Sequence, residues 1–318
     1  MYDLDHGANM ADRNHVPPAG IARRDLMIAG VGVAAIAAGI GSTGTVLAQT
    51  APAAAPPLVP AGKIDLEQRG SVLLIAINRP QAQNRLDPPI LIGLGKAYYQ
   101  LEHDDALRVA VLHGVGPNFS MGVDLAAFLA GLKSGVLPPK DPDFINSFGL
   151  RPPFRTKPVV VAVQGGTQAG GHELFLAADI RVAASDSVFA QPEVARGIFP
   201  GGGATIRLTR EAGWGNAMRY MLTGEEWGAD EAHRLGLVQE VTPPGKQVDR
   251  AIELAEKIAA GAPLGVRATL ASARQSISGE EAAFQALAAE FQRVNQSEDA
   301  KEGQNAFREG RRPVFHGQ

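Results

Sequence analysis

The stretch KPVVVAVQGGTQAGGHELFLAADIRVAA, residues 157–184, decides the architecture. VVVAV (159–163) lies in the most β-branched run of the chain and reads as a buried central strand ending near Gln164. A glycine-rich turn follows. A helix then starts at Gly170 or Gly171 with the apolar run ELFLAAD, and IRVAAS returns to strand. Strand, helix and strand in succession predict an α/β layered core. The first amides of such a helix have no acceptor within it and lie at the positive end of its dipole. With glycine at 170 and 171, an oxygen carrying negative charge can reach them unobstructed. Tight helix packing accounts equally well for two adjacent glycines.

On the N-terminal side, KIDLEQRGSVLLIAINRP reads as a hairpin joined at Arg69-Gly70 and stopped by Pro80. PPILIGLGKAYYQLEHD has helical spacing, RVAVLHG is a short buried strand, and VDLAAFLAGL is helical again. Residues 133–156, rich in Pro, Gly, Lys and Asp, form an unusually long irregular loop. On the C-terminal side, SVFAQPE is a short strand turning at Pro192. From about Ala204 the chain turns helical, with LVQEVTP as one intervening strand. QVDRAIELAEKIAAG, PLGVRATLASARQSI, EEAAFQALAAEFQRVNQ and EDAKEGQNAFREGRR complete a helical C-terminal block.

The first 48 residues stand apart. Arg23 and Arg24 precede 16 uncharged residues, Leu26 to Gly41, and VLA (46–48) fits a small-x-small cleavage site. A bilayer span needs about 20 residues. The pattern therefore predicts a secretory signal of the twin-arginine type over residues 1–48 and a periplasmic protein, cytoplasmic only if the leader is mis-annotated or does not function. No stable membrane insertion is expected after cleavage. Residues 49–61, rich in Pro and Ala, read as a stiff disordered linker, followed by a core over 62–250 and a helical C-terminal region over 251–318.

Composition narrows the chemistry. The chain has 318 residues, a net charge of −3 and no basic stripe, which argues against nucleic acid as a partner. The absence of cysteine excludes disulfides, a thiol nucleophile and thiolate metal sites. His172-Glu173 begins like a zinc-protease helix, but Leu176 stands where the second histidine belongs. No Walker A loop or G-x-S-x-G elbow is present. No metal and no separate cofactor are expected.

What remains is two glycine turns and two glutamates. NFSMGVDLAAF (118–128) runs from loop through Gly122 into an apolar helix, like the turn at Gly170. Two such turns can offer two N–H donors to one oxygen, as acyl chemistry requires. Glu173 lies just inside the helix after the second turn, and Glu193, in FAQPEVARGIFPGGG, follows twenty residues later. A carboxylate on an apolar helix is costly unless solvated or paired. Taken alone, each would most simply be a cap or a surface charge.

These segments resemble the enoyl-CoA hydratase/isomerase (crotonase) family from about residue 62 to the C-terminus. The likeness rests on NRPQAQN (78–84), NFSMGVDL (118–125), residues 157–184, FAQPEVARGIFPGGGATIRLTR (189–210), LTGEEWGADEAHRLGLVQEV (222–241) and KEGQNAFREGRRPVF (301–315). It implies a crotonase (ClpP-like) spiral of ββα units with a helical C-terminal trimerisation region, and a homotrimer or dimer of trimers. It places an oxyanion hole on the amides of Val123 and Gly170, and catalytic carboxylates on Glu173 and Glu193. It places contacts to an acyl- or enoyl-CoA thioester near Gln83, Asn84, Met121, Asp124 and Gly201. CoA enters only as part of the substrate. Family hydratases carry both glutamates, whereas isomerases generally keep the second alone. The retained pair therefore implies water addition to a trans-2-enoyl thioester. The alternatives are another crotonase-fold activity, such as isomerisation or C–C hydrolysis, or a non-catalytic exported acyl-binding protein. Gln164 stands where the family usually has asparagine. Phe144, Phe148 and Phe154 either line an acyl pocket or pack the loop 133–156 down.

Overall fold

The structure, a computed structural model, describes residues 59–277 and 291–318. The expected leader (1–48), all but the last three residues of the linker, and most of the helix EEAAFQALAAEFQRVNQ lie outside the described residues.

The hairpin pairs β1 (Lys63–Arg69) antiparallel with β2 (Val72–Asn78), turning at Gly70-Ser71. From β2 onward the large sheet is parallel. It runs through β3 (Val109–Gly114), β4 (Val159–Val163), β6 (Ile180–Ala184) and β9 (Glu240–Thr242), in the order β1-β2-β3-β4-β6-β9. Strands buried on both faces read as unbroken apolar runs, and VVVAV is such a strand. Val159, Val161 and Val163 join one core cluster with Leu73, Ile75 and Leu112. Val160 and Ala162 face the other way, with Val72, Leu74, Val109 and Val182, onto a helix spanning Gln247–Ala259 through its Ala251, Ile252 and Ala255. The core boundary expected at residue 250 falls inside that helix. Its apolar face covers the sheet.

A second sheet of three short strands, β5 (Gly166–Gln168), β7 (Val188–Ala190) and β8 (Glu226–Gly228), gives the chain its repeating unit. Each turn of the spiral supplies a strand to the large sheet, a short segment to the second sheet or its single-residue extensions, and then a helix. β2 leads to the bridge at Leu86 and α1 (Pro88–His103). β3 leads to bridges at Ser120 and Val123 and then α2 (Leu125–Lys133). β4 leads to β5 and α3 (Gly170–Leu176), and β6 to β7 and α4 (Ala204–Ala212). The sequence places the hairpin, β3, β4, β6 and β9 correctly. It misses β5 and β8, which are three residues each and too short for any periodicity to show.

Candidate active site

In three successive turns of the spiral, the segment joining second-sheet element to helix lies at one end of the short strands. In the second turn this segment is residues 120–124, held from both sides. Ser120 N–H donates to Gly166 O (3.1 Å) and Gln168 N–H to Ser120 O (3.0 Å). Leu86 N–H donates to Gly122 O (2.8 Å) and Asp124 N–H to Leu86 O (3.0 Å). In the third turn, Ala169 N–H donates to Ala190 O (2.9 Å), and α3 begins at Gly170. A side-chain carbon on Gly170 would lie 2.8 Å from Val123 Cγ2 and 3.5 Å from Val123 N, so the two turns meet there. One on Gly171 would lie 2.3 Å from Ser120 O. Both glycines therefore permit close packing, Gly171 against Ser120 and Gly170 against Val123. Among the described residues, neither Val123 N–H nor Gly170 N–H donates to another protein group. Ala169, with φ 48° and ψ −127°, holds a conformation that L-residues rarely adopt, and strain of this kind clusters at functional sites. Because α3 is only seven residues long, the amides themselves outweigh any long helix dipole.

Val123 and Gly170 line a cleft of 540 Å³ whose wall also includes Glu173, Glu193, Gly201 and Phe148. Both glutamates are 5% exposed. Glu173 Oε1 accepts from Ala204 N–H at 3.2 Å. Burial pushes its pKa up to about 7, and the neighbouring Glu193 adds to the rise against the pull of the Ala204 N–H. Burial likewise raises Glu193, opposed by Arg196.

This arrangement has a measurable cost. Glu173 ionises near 7 in the folded chain and at about 4.5 unfolded, so its contribution to stability is fully present below 4.5 and is lost as pH rises through 7. Glu173→Gln does not titrate. Its melting temperature should match that of the wild type at acid pH and exceed it at pH 8.5, by the equivalent of up to about 3 kcal/mol. Thermal melts at both pH values test this.

The remaining expected contacts divide. Gly201 lines the cleft, and a side-chain carbon there would touch only Phe199, at 4.0 Å. Gln83, Asn84, Met121 and Asp124 are not among the residues lining it. Asn84 is fully buried. Its Oδ1 accepts from Arg79 N–H (2.8 Å) and both Nδ2 hydrogens are donated, to Val115 O and Asn118 O (2.8 Å each), so this fully buried side chain ties three loop positions together and has no N–H left to donate. Asp124 caps α2 through Ala127 N–H (3.2 Å) and pairs with Arg79 (2.8 Å). An aspartate directly before an apolar helical run is a cap signal already present in VDLAAF. Met121 packs over Gly166, and Gln83 is exposed. Gln164 donates to Gly114 O (2.8 Å) and Gly116 O (2.9 Å), bracing the loop after β3. Of the three phenylalanines, Phe148 lines the cleft, Phe144 packs on Gly95 of α1, and Phe154 is exposed elsewhere. Sequence reasoning gave no role to Gln191, whose amide lies between Glu193 and His172.

The spiral of ββα units is the crotonase fold. The solved structure of an enoyl-CoA hydratase from Mycobacterium tuberculosis superposes with a TM-score of 0.74 at 43% identity, covering 80% of this chain and 99% of that one. Among curated relatives, enoyl-CoA hydratase EchA19 of Mycobacterium tuberculosis is 35% identical over 79% of this chain and 95% of its own length. Crotonyl-CoA hydratase of Syntrophomonas wolfei is 34% identical over 79% and 97%. The family model for enoyl-CoA hydratase/isomerase matches residues 67–318. The chain belongs to the enoyl-CoA hydratase/isomerase family.

Proposed function

We propose that the chain is a hydro-lyase that adds water across the double bond of a trans-2-enoyl-CoA thioester. The observation that carries this reading is that Glu173 and Glu193 line one cleft together with Val123 and Gly170. The Val123 and Gly170 N–H groups receive the thioester oxygen as charge builds on it during addition. The two carboxyls hold one water between them. Glu173 orients it and helps remove its proton as its oxygen bonds to the β-carbon. Glu193 delivers a proton to the α-carbon, so one water is added in all. The reverse reaction uses the same groups in exchanged roles, with Glu193 as base and Glu173 as acid. No cofactor beyond the CoA of the substrate is required. Leu125, Phe128, Leu132, Leu137 and Phe148 make the cleft wall largely apolar, which suits an acyl chain. The names of the relatives, hydratases acting on enoyl- and crotonyl-CoA, support the same class.

Purified protein is expected to consume crotonyl-CoA, read as loss of the conjugated thioester absorbance, and to yield 3-hydroxybutyryl-CoA. Turnover of a 3-enoyl-CoA or a 1,3-diketone in its place would establish isomerisation or C–C hydrolysis instead. Acyl-CoA binding without turnover would establish a binding protein. We propose further that the chain assembles as a homotrimer or dimer of trimers and is exported folded. Export predicts a periplasmic product starting near Gln49 on N-terminal sequencing, and a full-length cytosolic product would refute it.

A further inference from the structure

His172 precedes Glu173 on α3 but serves the other carboxylate. Its ring is fully buried among Phe175, Phe189 and Trp227, with centroids 5.4, 5.8 and 5.1 Å away. Nδ1 lies 2.8 Å from the side-chain amide of Gln191, also fully buried, and Nε2 has no partner among the described residues. With the Gln191 amide nitrogen turned to Glu193, it reaches both carboxylate oxygens, at 3.1 and 2.9 Å, and the amide oxygen then accepts from His172 Nδ1 at 2.8 Å. A histidine, a glutamine and a glutamate nineteen to twenty-one residues along the chain thus form one buried line.

The polarity of that line is not arbitrary. Burial, with some help from the Arg181 guanidinium, pushes the His172 pKa down to about 3, so the ring carries one proton. If that proton is on Nδ1, the amide oxygen of Gln191 is engaged and its N–H groups must face Glu193, which suits a carboxylate. If it is on Nε2, Nδ1 calls for the amide nitrogen. The amide oxygen then faces Glu193, which suits only the protonated acid. The charged groups around Glu193 are Arg196 and the Glu173 carboxyl, and Arg181 is the charge beside His172.

We infer that His172, acting through Gln191, is a positioning residue for Glu193: its Nδ1–H turns the amide so that Glu193 is held as an ionised hydrogen-bond acceptor, ready to take the α-proton. This rests on the hydratase reading above. Dehydration of 3-hydroxybutyryl-CoA requires Glu193 as base, so the acid limb of its pH profile reports the ionisation of that group.

The test compares the wild type with His172→Leu, which removes the donor, and His172→Asn, whose amide can replace Nδ1–H. In His172→Leu, kcat for dehydration should fall about tenfold, with KM nearly unchanged and the acid limb moved to higher pH. His172→Asn should restore most of kcat and return the limb. In the wild type, nitrogen NMR should find His172 neutral across pH 5–8, with the proton on Nδ1. Unchanged kcat and acid limb in a folded His172→Leu, or a ring protonated on Nε2 at neutral pH, would overturn the inference while leaving the hydratase reading intact. Should His172→Leu fail to fold, His172→Asn and the ring proton decide. A wild type that binds but does not turn over crotonyl-CoA would overturn the hydratase reading instead, and the NMR readout is independent of turnover.

Discussion

Glu193→Gln should keep the shape of the cleft and lower crotonyl-CoA hydration by about 10²–10⁴-fold, the range for losing one positioned acid–base group. The amide is nearly isosteric, still accepts a hydrogen bond and cannot exchange a proton with the α-carbon. Glu173→Gln should cost a similar factor for a different reason. It keeps an oxygen for the Ala204 N–H but no longer accepts the proton of the attacking water. A second measurement separates the two. In deuterated water, a saturated acyl-CoA should exchange its α-protons in Glu173→Gln and not in Glu193→Gln. Hydration retained near the wild-type rate in either variant would remove that carboxyl from the mechanism.

Gly122→Ala should be nearly as damaging, although no catalytic side chain is touched. Gly122 has φ +95°, a conformation in which an alanine is strained. Its new methyl would lie 2.8 Å from Ala169 Cβ, 3.2 Å from Gln168 O and 3.4 Å from Gly170 N. The loop carrying Val123 must then move away from the turn carrying Gly170, and the two donors proposed to share one oxygen are pulled apart. Loss of one such donor costs on the order of 10²–10³-fold in kcat. Gly215→Ala, at an exposed helical position with nothing within 4 Å, is the control and should leave turnover unchanged. If Gly122→Ala folds and retains full kcat, the convergence of the two turns has no catalytic meaning.

How much of this could be read from the sequence depends on how local each signal is. A parallel strand buried on both faces declares itself in VVVAV, because every position is apolar and all but Ala162 are β-branched. The two glycine turns are equally local, since each lies within a few residues of a helix start. The three-residue strands of the second sheet carry no pattern, yet they bring the two turns together. Asn84 illustrates the limit most clearly. It lies in a segment that resembles a CoA-contacting stretch, but its partners Val115 and Asn118 are 31 and 34 residues away, and nothing near it in sequence announces a structural clamp. His172 and Gln191 are likewise nineteen residues apart, and only folding shows that they meet. The helix Gln247–Ala259 makes the same point, because a helix that covers a sheet and one that merely follows it have the same apolar spacing.

The central claim is geometric, and a structure with a non-reacting ligand such as butyryl-CoA in the cleft measures it directly. The account predicts the thioester oxygen at about 3 Å from both Val123 N and Gly170 N, with the carboxyls of Glu173 and Glu193 facing the α- and β-carbons. A thioester oxygen held by other groups, or either carboxyl turned away from those carbons, would contradict it.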